Sequence, residues 1–398
     1  MPEGLIVDPS SFLLNLAIIL IFTKIGGIIC KRWGIPAVLG QVLMGVLLGP
    51  TVLGLVKSDL LLDEIGQLGV IFLMFLAGLD TEMESMKRLG KKALLVAVGG
   101  ALLPFIGGTI VALVFNYNLH TAIFVGTILT ATSISITVQT LLELGKLKTP
   151  EGNVILAAAV IDDIIGIILL AIVVSFGNGS STNILLLMGR IILFFILIYL
   201  VGQWVFPLLV GLHAKHNIRE GRVTLAIAIC LLFAWLADNM GLATIIGAYL
   251  MGIFVGQTNI KNLVTQRVQI IAYTFFIPIF FVGIGTGVNL RQIDLSVLLF
   301  ALAITVTAIL TKMVGSMCGA LLGKFDLKSS LRIGVGMIAR GEVGLVVTSL
   351  GVRMGIIGNE VFSAVLILII VAIIITPVLL PMVFKEPEEQ VVKPGIPG

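Results

Sequence analysis

GIPAVLGQVLMGVLLGPT at 34–51 and GLATIIGAYLMGIFVGQT at 241–258 are the two stretches that decide how this chain folds. Gly34, Gly40, Leu43, Met44, Gly45, Gly49 and Thr51 recur as Gly241, Gly247, Leu250, Met251, Gly252, Gly256 and Thr258, each displaced by 207 residues. The offset persists further along the chain. Tyr117-Asn118-Leu119-His120-Thr121 aligns with Phe325-Asp326-Leu327-Lys328-Ser329, and Gly107 with Gly315, at 208. Gly152-Asn153 matches Gly358-Asn359 at 206. A near-constant displacement over three separate stretches marks an internal repeat, which constrains architecture more than any single element does. The glycines within each copy read first as small faces that let membrane helices pack closely.

Composition sets the solvent. The 398 residues are 58% hydrophobic and 12% charged, with a mean hydropathy of +1.18, where a soluble domain carries about 25% charged residues. Polar side chains are too few to cover this chain in water, so the lipid bilayer is its expected partner. The net charge of +4 does not indicate nucleic acid, because the basic residues lie between apolar runs, as membrane-protein loops do. Cys30, Cys230 and Cys318 sit singly in or beside apolar runs, with no metal-ligand spacing, and read as small buried residues. His120, His213 and His216 fall near loops, and HExxH, GxSxG and Walker-type motifs are absent. No enzyme chemistry and no cofactor are expected. Met1–Ser10 lacks the basic start and cleavage site of a signal peptide, so the first apolar run is expected to be retained.

A hydrocarbon core about 30 Å thick takes about 20 apolar residues per helix. The runs predict an all-α polytopic membrane protein with about thirteen transmembrane helices, at 12–29, 36–56, 64–80, 92–116, 119–144, 152–176, 184–210, 220–238, 241–257, 266–288, 294–322, 330–353 and 359–384. Asp238-Asn239 is expected to supply a very tight turn between the eighth and ninth. With the N-terminus outside, eighteen of the 25 Lys and Arg residues fall on the inner side. Lys57, Arg291 and Arg353 are the three on the outer side, and four lie within spans. That is the positive-inside pattern of a plasma-membrane protein with a cytoplasmic C-terminus. Seven helix steps separate each span from its copy, an odd number, so the copies run in opposite senses. The expected divisions are 1–183 for the first repeat, 184–212 for a linker helix, 213–384 for the second repeat and 385–398 for a short cytoplasmic tail. Inverted repeats characterise secondary transporters that alternate access around a midplane site.

The copies differ where the chemistry is. Asp162 and Asp163, in AAAVIDDIIGIILL at 157–170, correspond at an offset of 206 to Leu368 and Ile369, so the scaffold itself does not need them. A charge at that depth costs several kcal/mol, of order 3 on insertion scales. An isolated carboxylate there holds a proton until a cation replaces it, and competition of proton and cation for one site is the physical core of an antiporter. Adjacent helical residues point about 100° apart, so the two aspartates divide their roles. Lys312, in the eleventh span, aligns with Pro104 and is likewise present in one copy only. It is expected to pair with a carboxylate and contribute to coupling, the plainer alternative being a snorkelling side chain. The fifth span carries Thr130, Thr132, Ser133, Ser135 and Thr137, and its copy carries Arg340 and Glu342 in MIARGEVG. Both read as helices broken at mid-membrane, whose carbonyls and hydroxyls line a cavity and suit an alkali cation. Arg340 and Glu342 neutralise each other or the broken ends, a structural role being as well founded as a transport one.

VIDDIIG, the TATS segment, the mid-helix lysine and ARGEVGLVV together resemble the monovalent cation:proton antiporter-2 family, most closely its NapA-like Na⁺/H⁺ antiporters, distant relatives of NhaA. The resemblance covers essentially the whole chain. It implies a homodimer in which an ion-translocation core (the fourth to sixth and eleventh to thirteenth helices) moves elevator-fashion against a dimerisation domain (the first to third and eighth to tenth). It implies Asp163 as the principal Na⁺ and proton site, Asp162 as the partner of Lys312, and Thr132 and Ser133 at the crossover. The aspartate pair with an intramembrane lysine is similar to electrogenic Na⁺(Li⁺)/H⁺ members. ARGE is shared with K⁺/H⁺ members, which carry a nucleotide-binding domain not found in the KEPEEQVVKPGIPG tail. K⁺/H⁺ exchange is therefore the alternative, with any regulator on a separate subunit or a truncated domain. A cation channel is the more distant one.

Overall fold

The computed structural model describes residues 9–33, 35–56, 60–81, 83–178, 184–215, 219–286 and 297–385, and every regular element among them is helical. In chain order these are α1 (Pro9–Arg32), α2 (Ala37–Leu48), α3 (Leu60–Asp80), α4 (Met83–Val114), α5 (Leu119–Thr130), α6 (Ile134–Glu143), α7 (Pro150–Asn178), α8 (Ile184–Leu200) and α9 (Phe206–Lys215). There follow α10 (Arg219–Asn239), α11 (Thr244–Gly256), α12 (Lys261–Ile271), α13 (Ile277–Thr286), α14 (Leu298–Leu322), α15 (Leu327–Gly336), α16 (Glu342–Arg353) and α17 (Asn359–Phe384). Single π turns at Val201–Val205 and Ala272–Phe276 join α8 to α9 and α12 to α13 without a break. Ten segments among the described residues are long and apolar enough to cross a bilayer, and Ala37–Leu48, Thr244–Gly256 and Val343–Val352 are shorter apolar helices. The expected all-α membrane fold is what the chain adopts. Of the residues used for orientation, Lys57, Arg291 and Lys393 lie outside the described set, as do the side chains of Lys87, Arg88, Lys215, Arg219 and Arg353.

Two groups of helices emerge from the packing. In one, α14 lies along α4, α4 also packs on α5 and α7, and α14 packs on α15 and α17. In the other, α1 packs on α2, α2 and α3 pack on α13, and α3 and α10 pack on α11. The groups meet where α6 reaches α2 and α3 and where α17 reaches α2.

Glycines set the closest approaches, and they do so in matched pairs. A Cβ on Gly40 would lie 2.1 Å from Gly26 O, and one on Gly247 would lie 2.1 Å from Phe233 O. A Cβ on Gly45 would lie 2.4 Å from Val282 O, and one on Gly252 would lie 2.3 Å from Phe75 O. In each case the partners, like the glycines, are 207 positions apart. Helix starts recur too. Asn118 Oδ1 accepts from Thr121 N at 2.9 Å, and its counterpart Asp326 accepts from Lys328 N and Ser329 N at 3.1 and 3.2 Å. Hydrogen bonds from Ser329 hold the Asp326 carboxyl below the usual carboxylate range. Overpacking such contacts costs about 1–3 kcal/mol. Gly40→Ala and Gly247→Ala therefore lower the melting temperature of the purified protein by similar amounts. Gly166→Ala, with nothing within 4 Å of the added Cβ, leaves it unchanged, and a thermal-shift ranking with Gly166 worst would contradict this.

One turn departs from expectation. Asn239 closes α10, its Nδ2 donating to Trp235 O at 2.9 Å. The chain reverses at Gly241, with φ +84°, and Leu242 N closes the turn on Ala237 O at 2.8 Å. The left-handed position falls to glycine, which adopts it without Cβ strain, rather than to the Asp238-Asn239 pair.

Candidate ion-binding site

The two broken helices cross. α5 stops at Thr130 and α6 resumes at Ile134, while α15 stops at Gly336 and α16 resumes at Glu342. Between these ends Ser133 N donates to Ala339 O at 3.0 Å, and Thr137 Oγ1 donates to Gly336 O at 2.8 Å. Hydroxyl side chains compete for backbone groups and favour such interruptions. A Cβ on Gly341 would sit 2.9 Å from Ser133 Oγ, so a larger residue there would displace that hydroxyl.

A helix C-terminus inside a bilayer leaves carbonyls without donors and carries partial negative charge. Two buried cations meet the end of α5. Lys312 Nζ donates to Thr130 O at 2.9 Å, and Arg340 Nη1 donates to Ala131 O. Arg340 Nη2 also reaches Ala308 O, at 3.4 Å. Of the two roles expected for Arg340, capping a broken-helix end is what the described atoms display. The Glu342 side chain lies outside them.

Asp162 completes the arrangement. Lys312 Nζ lies 2.8 Å from Asp162 Oδ1 and 2.9 Å from Oδ2, and Thr132 Oγ1 donates to Oδ2 at 2.7 Å. The Lys312 and Asp162 side chains are 0% and 1% exposed, so neither snorkels to water. Three donor contacts from one ammonium satisfy it within the protein, the condition under which a buried ion pair survives desolvation. Asp163, one residue on, is half-buried and faces elsewhere. It lines a cavity of about 10 Å³ walled by Met74, Ile134, Ile245 and Ile246, room for about one water-sized particle. Those walls come from α3, α6 and α11, so Asp163 lies at the seam between the two helix groups. Ser133 joins through its backbone, and its Oγ pairs with Ser135 Oγ at 3.1 Å. The carbonyls of Thr130, Ala131 and Ala308 are members that side-chain reasoning does not name. Glu143, at the far end of α6, is a further half-buried carboxylate at the seam that it passed over.

Among the described residues no group of three or more His, Cys, Asp or Glu side chains could hold a metal ion.

Broken helices crossing beside adjacent carboxylates, one buried and one half-buried, with two buried cations define an ion-exchanging membrane transporter. Residues 17–386 match the family described as sodium/hydrogen exchanger, transmembrane, and the chain belongs to that family. It is 41% identical over 373 residues to the Na(+)/H(+)-K(+) antiporter GerN of Bacillus cereus, covering 94% of this chain and 96% of that protein. It is 39% identical over 374 residues to a Na(+)/H(+) antiporter of Enterococcus hirae, covering 93% and 97%. The solved structure of the sodium proton antiporter MjNhaP1 from Methanocaldococcus jannaschii matches with a TM-score of 0.64 at 18% identity, over 93% of this chain and 96% of that one. At that identity the likeness concerns the fold alone.

Proposed function

We propose that the chain exchanges Na⁺ or Li⁺ for protons, with both competing for Asp163. The observation that carries this is the division of the pair: Asp162 is taken up by Lys312 and Thr132, while Asp163 lines a cavity at the seam. Protonated, Asp163 is neutral and the core crosses the bilayer cheaply; bound to a cation it is neutral again; bare and charged it is held back by the desolvation cost. When a cation draws Asp162 toward it, Lys312 loses its counter-ion and sheds a proton. Two protons then leave for one cation, and exchange is electrogenic. Matched glycine contacts and caps at offsets of 207 and 208 support two repeats, while their inverted sense, the thirteen crossings and the N-terminus outside rest on the helix count and the distribution of Lys and Arg. The two packing groups, with Asp163 at their seam, support an elevator movement of α4–α7 and α14–α17 against α1–α3 and α10–α13. A homodimer in the plasma membrane follows from the family resemblance.

K⁺ exchange is the second reading, and the name of GerN, at 41% identity, favours it specifically. Proton flux in everted vesicles separates the two. After a respiration-driven acid load, Na⁺ and Li⁺ dequench a pH-sensitive dye and K⁺ does not. Dequenching by K⁺ alone would transfer the assignment, and no response to any cation would remove it.

A further inference from the structure

Glu143 ends α6, yet its carboxylate serves neither Lys312 nor Arg340. Its Oε2 accepts the backbone N–H of Ala37 at 2.6 Å, and its Oε1 accepts from Gln139 Nε2 at 2.9 Å. Ala37 opens α2, whose N-cap is Pro36 and which has no side-chain cap of its own. The first N–H groups of a helix need acceptors, and its dipole favours an anion there. Glu143 therefore caps α2 from 106 residues away, across the seam between the two helix groups. A second polar contact crosses the same seam on the following loop, where Lys148 Nζ lies 3.0 Å from Asp80 Oδ1 at the end of α3.

The surroundings suit a contact that opens. Beside the cap lies a cavity of about 480 Å³ lined by Lys24, Lys31, Gln41, Gln139 and Tyr273. Gln41 Oε1 and Gln139 Oε1 are buried there without a protein partner. A seam closed by interdigitated apolar side chains resists separation. A polar cap beside a roomy cavity can exchange its protein partner for water at small net cost.

We propose that Glu143 is a detachable cap for α2, a positioning residue that docks α6 at one stage of the cycle and releases it when the core moves. The proposal rests on the elevator reading above. Ten residues of helix, about 15 Å, connect Glu143 to the crossover at Ser133, so docking one end of α6 places the other end beside Asp162 and Asp163.

Two measurements test it. In a variant with the three cysteines replaced by alanine, Ala37→Cys and Glu143→Cys are joined by a short, reducible bifunctional thiol reagent. Cross-linking is expected to slow exchange at least about tenfold, with recovery on reduction; a cross-linked protein that exchanges at the unlinked rate overturns the release. Separately, Glu143→Ala speeds deuterium exchange of the Ala37 amide by at least about tenfold, the size of one charge-assisted hydrogen bond. The same variant shifts the cation KM with a different effect on the maximal rate. Glu143→Gln, which keeps an acceptor oxygen, stays nearer the parent in both. Unchanged amide exchange in Glu143→Ala overturns the cap. Absence of cation-dependent flux in the parent counts against antiport instead, and the amide measurement still decides the cap.

Discussion

Asp163→Asn reduces cation-dependent proton flux in everted vesicles to the background of vesicles lacking the protein. The amide keeps the shape and one acceptor oxygen but removes the charge. At an effective dielectric of about 20 and a separation of about 4 Å, one unit charge contributes about 4 kcal/mol of attraction. That corresponds to about a thousandfold in cation affinity. The same change removes the titratable proton, so neither half of the exchange survives. Folding is expected to persist, because the neutral side chain relieves a half-buried charge and the Asp162–Lys312 contacts lie on another face of α7. Expression and melting temperature near the parent's, together with lost flux, is the expected result. Parent-like flux would remove Asp163 from the central role.

Lys312→Ala produces the second large effect, and here stability responds first. The substitution leaves Asp162, 2% exposed, with Thr132 as its remaining side-chain donor, and deprives Thr130 O of its ammonium. Removing one partner of a buried ion pair costs about 3–5 kcal/mol. A lowered melting temperature in detergent checks this. The combination Asp162→Asn with Lys312→Met recovers most of the loss, since replacing both charges by neutral groups is close to neutral. Coupling responds as well. With no lysine proton to shed, the stoichiometry moves from two protons per cation towards one, and the reversal potential of reconstituted exchange shifts accordingly. An unchanged reversal potential would take Lys312 out of the coupling scheme while leaving its structural role.

Much of the fold was legible in the residues, for identifiable reasons. A repeat imposes the same close contacts twice, so Gly40 and Gly247 must both stay small, and their spacing survives where other side chains drift. The broken helices showed as hydroxyls and charges at a depth where apolar residues are the rule. Asp162, Asp163 and Lys312 stood out because their counterparts Leu368, Ile369 and Pro104 are uncharged. What remained hidden is set by rotation and by backbone. The 100° between neighbouring residues requires Asp162 and Asp163 to face differently, but only the packing of α7 against α4, α5 and α15 determines which one meets the lysine. Carbonyls at Thr130 and Ala131 carry no side-chain signature. The turn at Gly241 and the π turns at Val201–Val205 and Ala272–Phe276 depend on local backbone geometry that apolar runs do not encode. Glu143 carries no motif that singles it out in the sequence; its partner is a backbone amide 106 residues away.

Competition between proton and cation at Asp163 is the centre of this account, and its most direct test is the pH dependence of exchange in proteoliposomes. Initial rates are measured against Na⁺ concentration at a series of pH values. Competition predicts that the apparent KM for Na⁺ rises as pH falls, at least about tenfold per unit on the acidic side of Asp163 and more steeply where Lys312 also releases its proton, while the rate at saturating Na⁺ stays the same. A KM independent of pH, with only the saturating rate falling, would contradict it by placing proton and cation on separate sites.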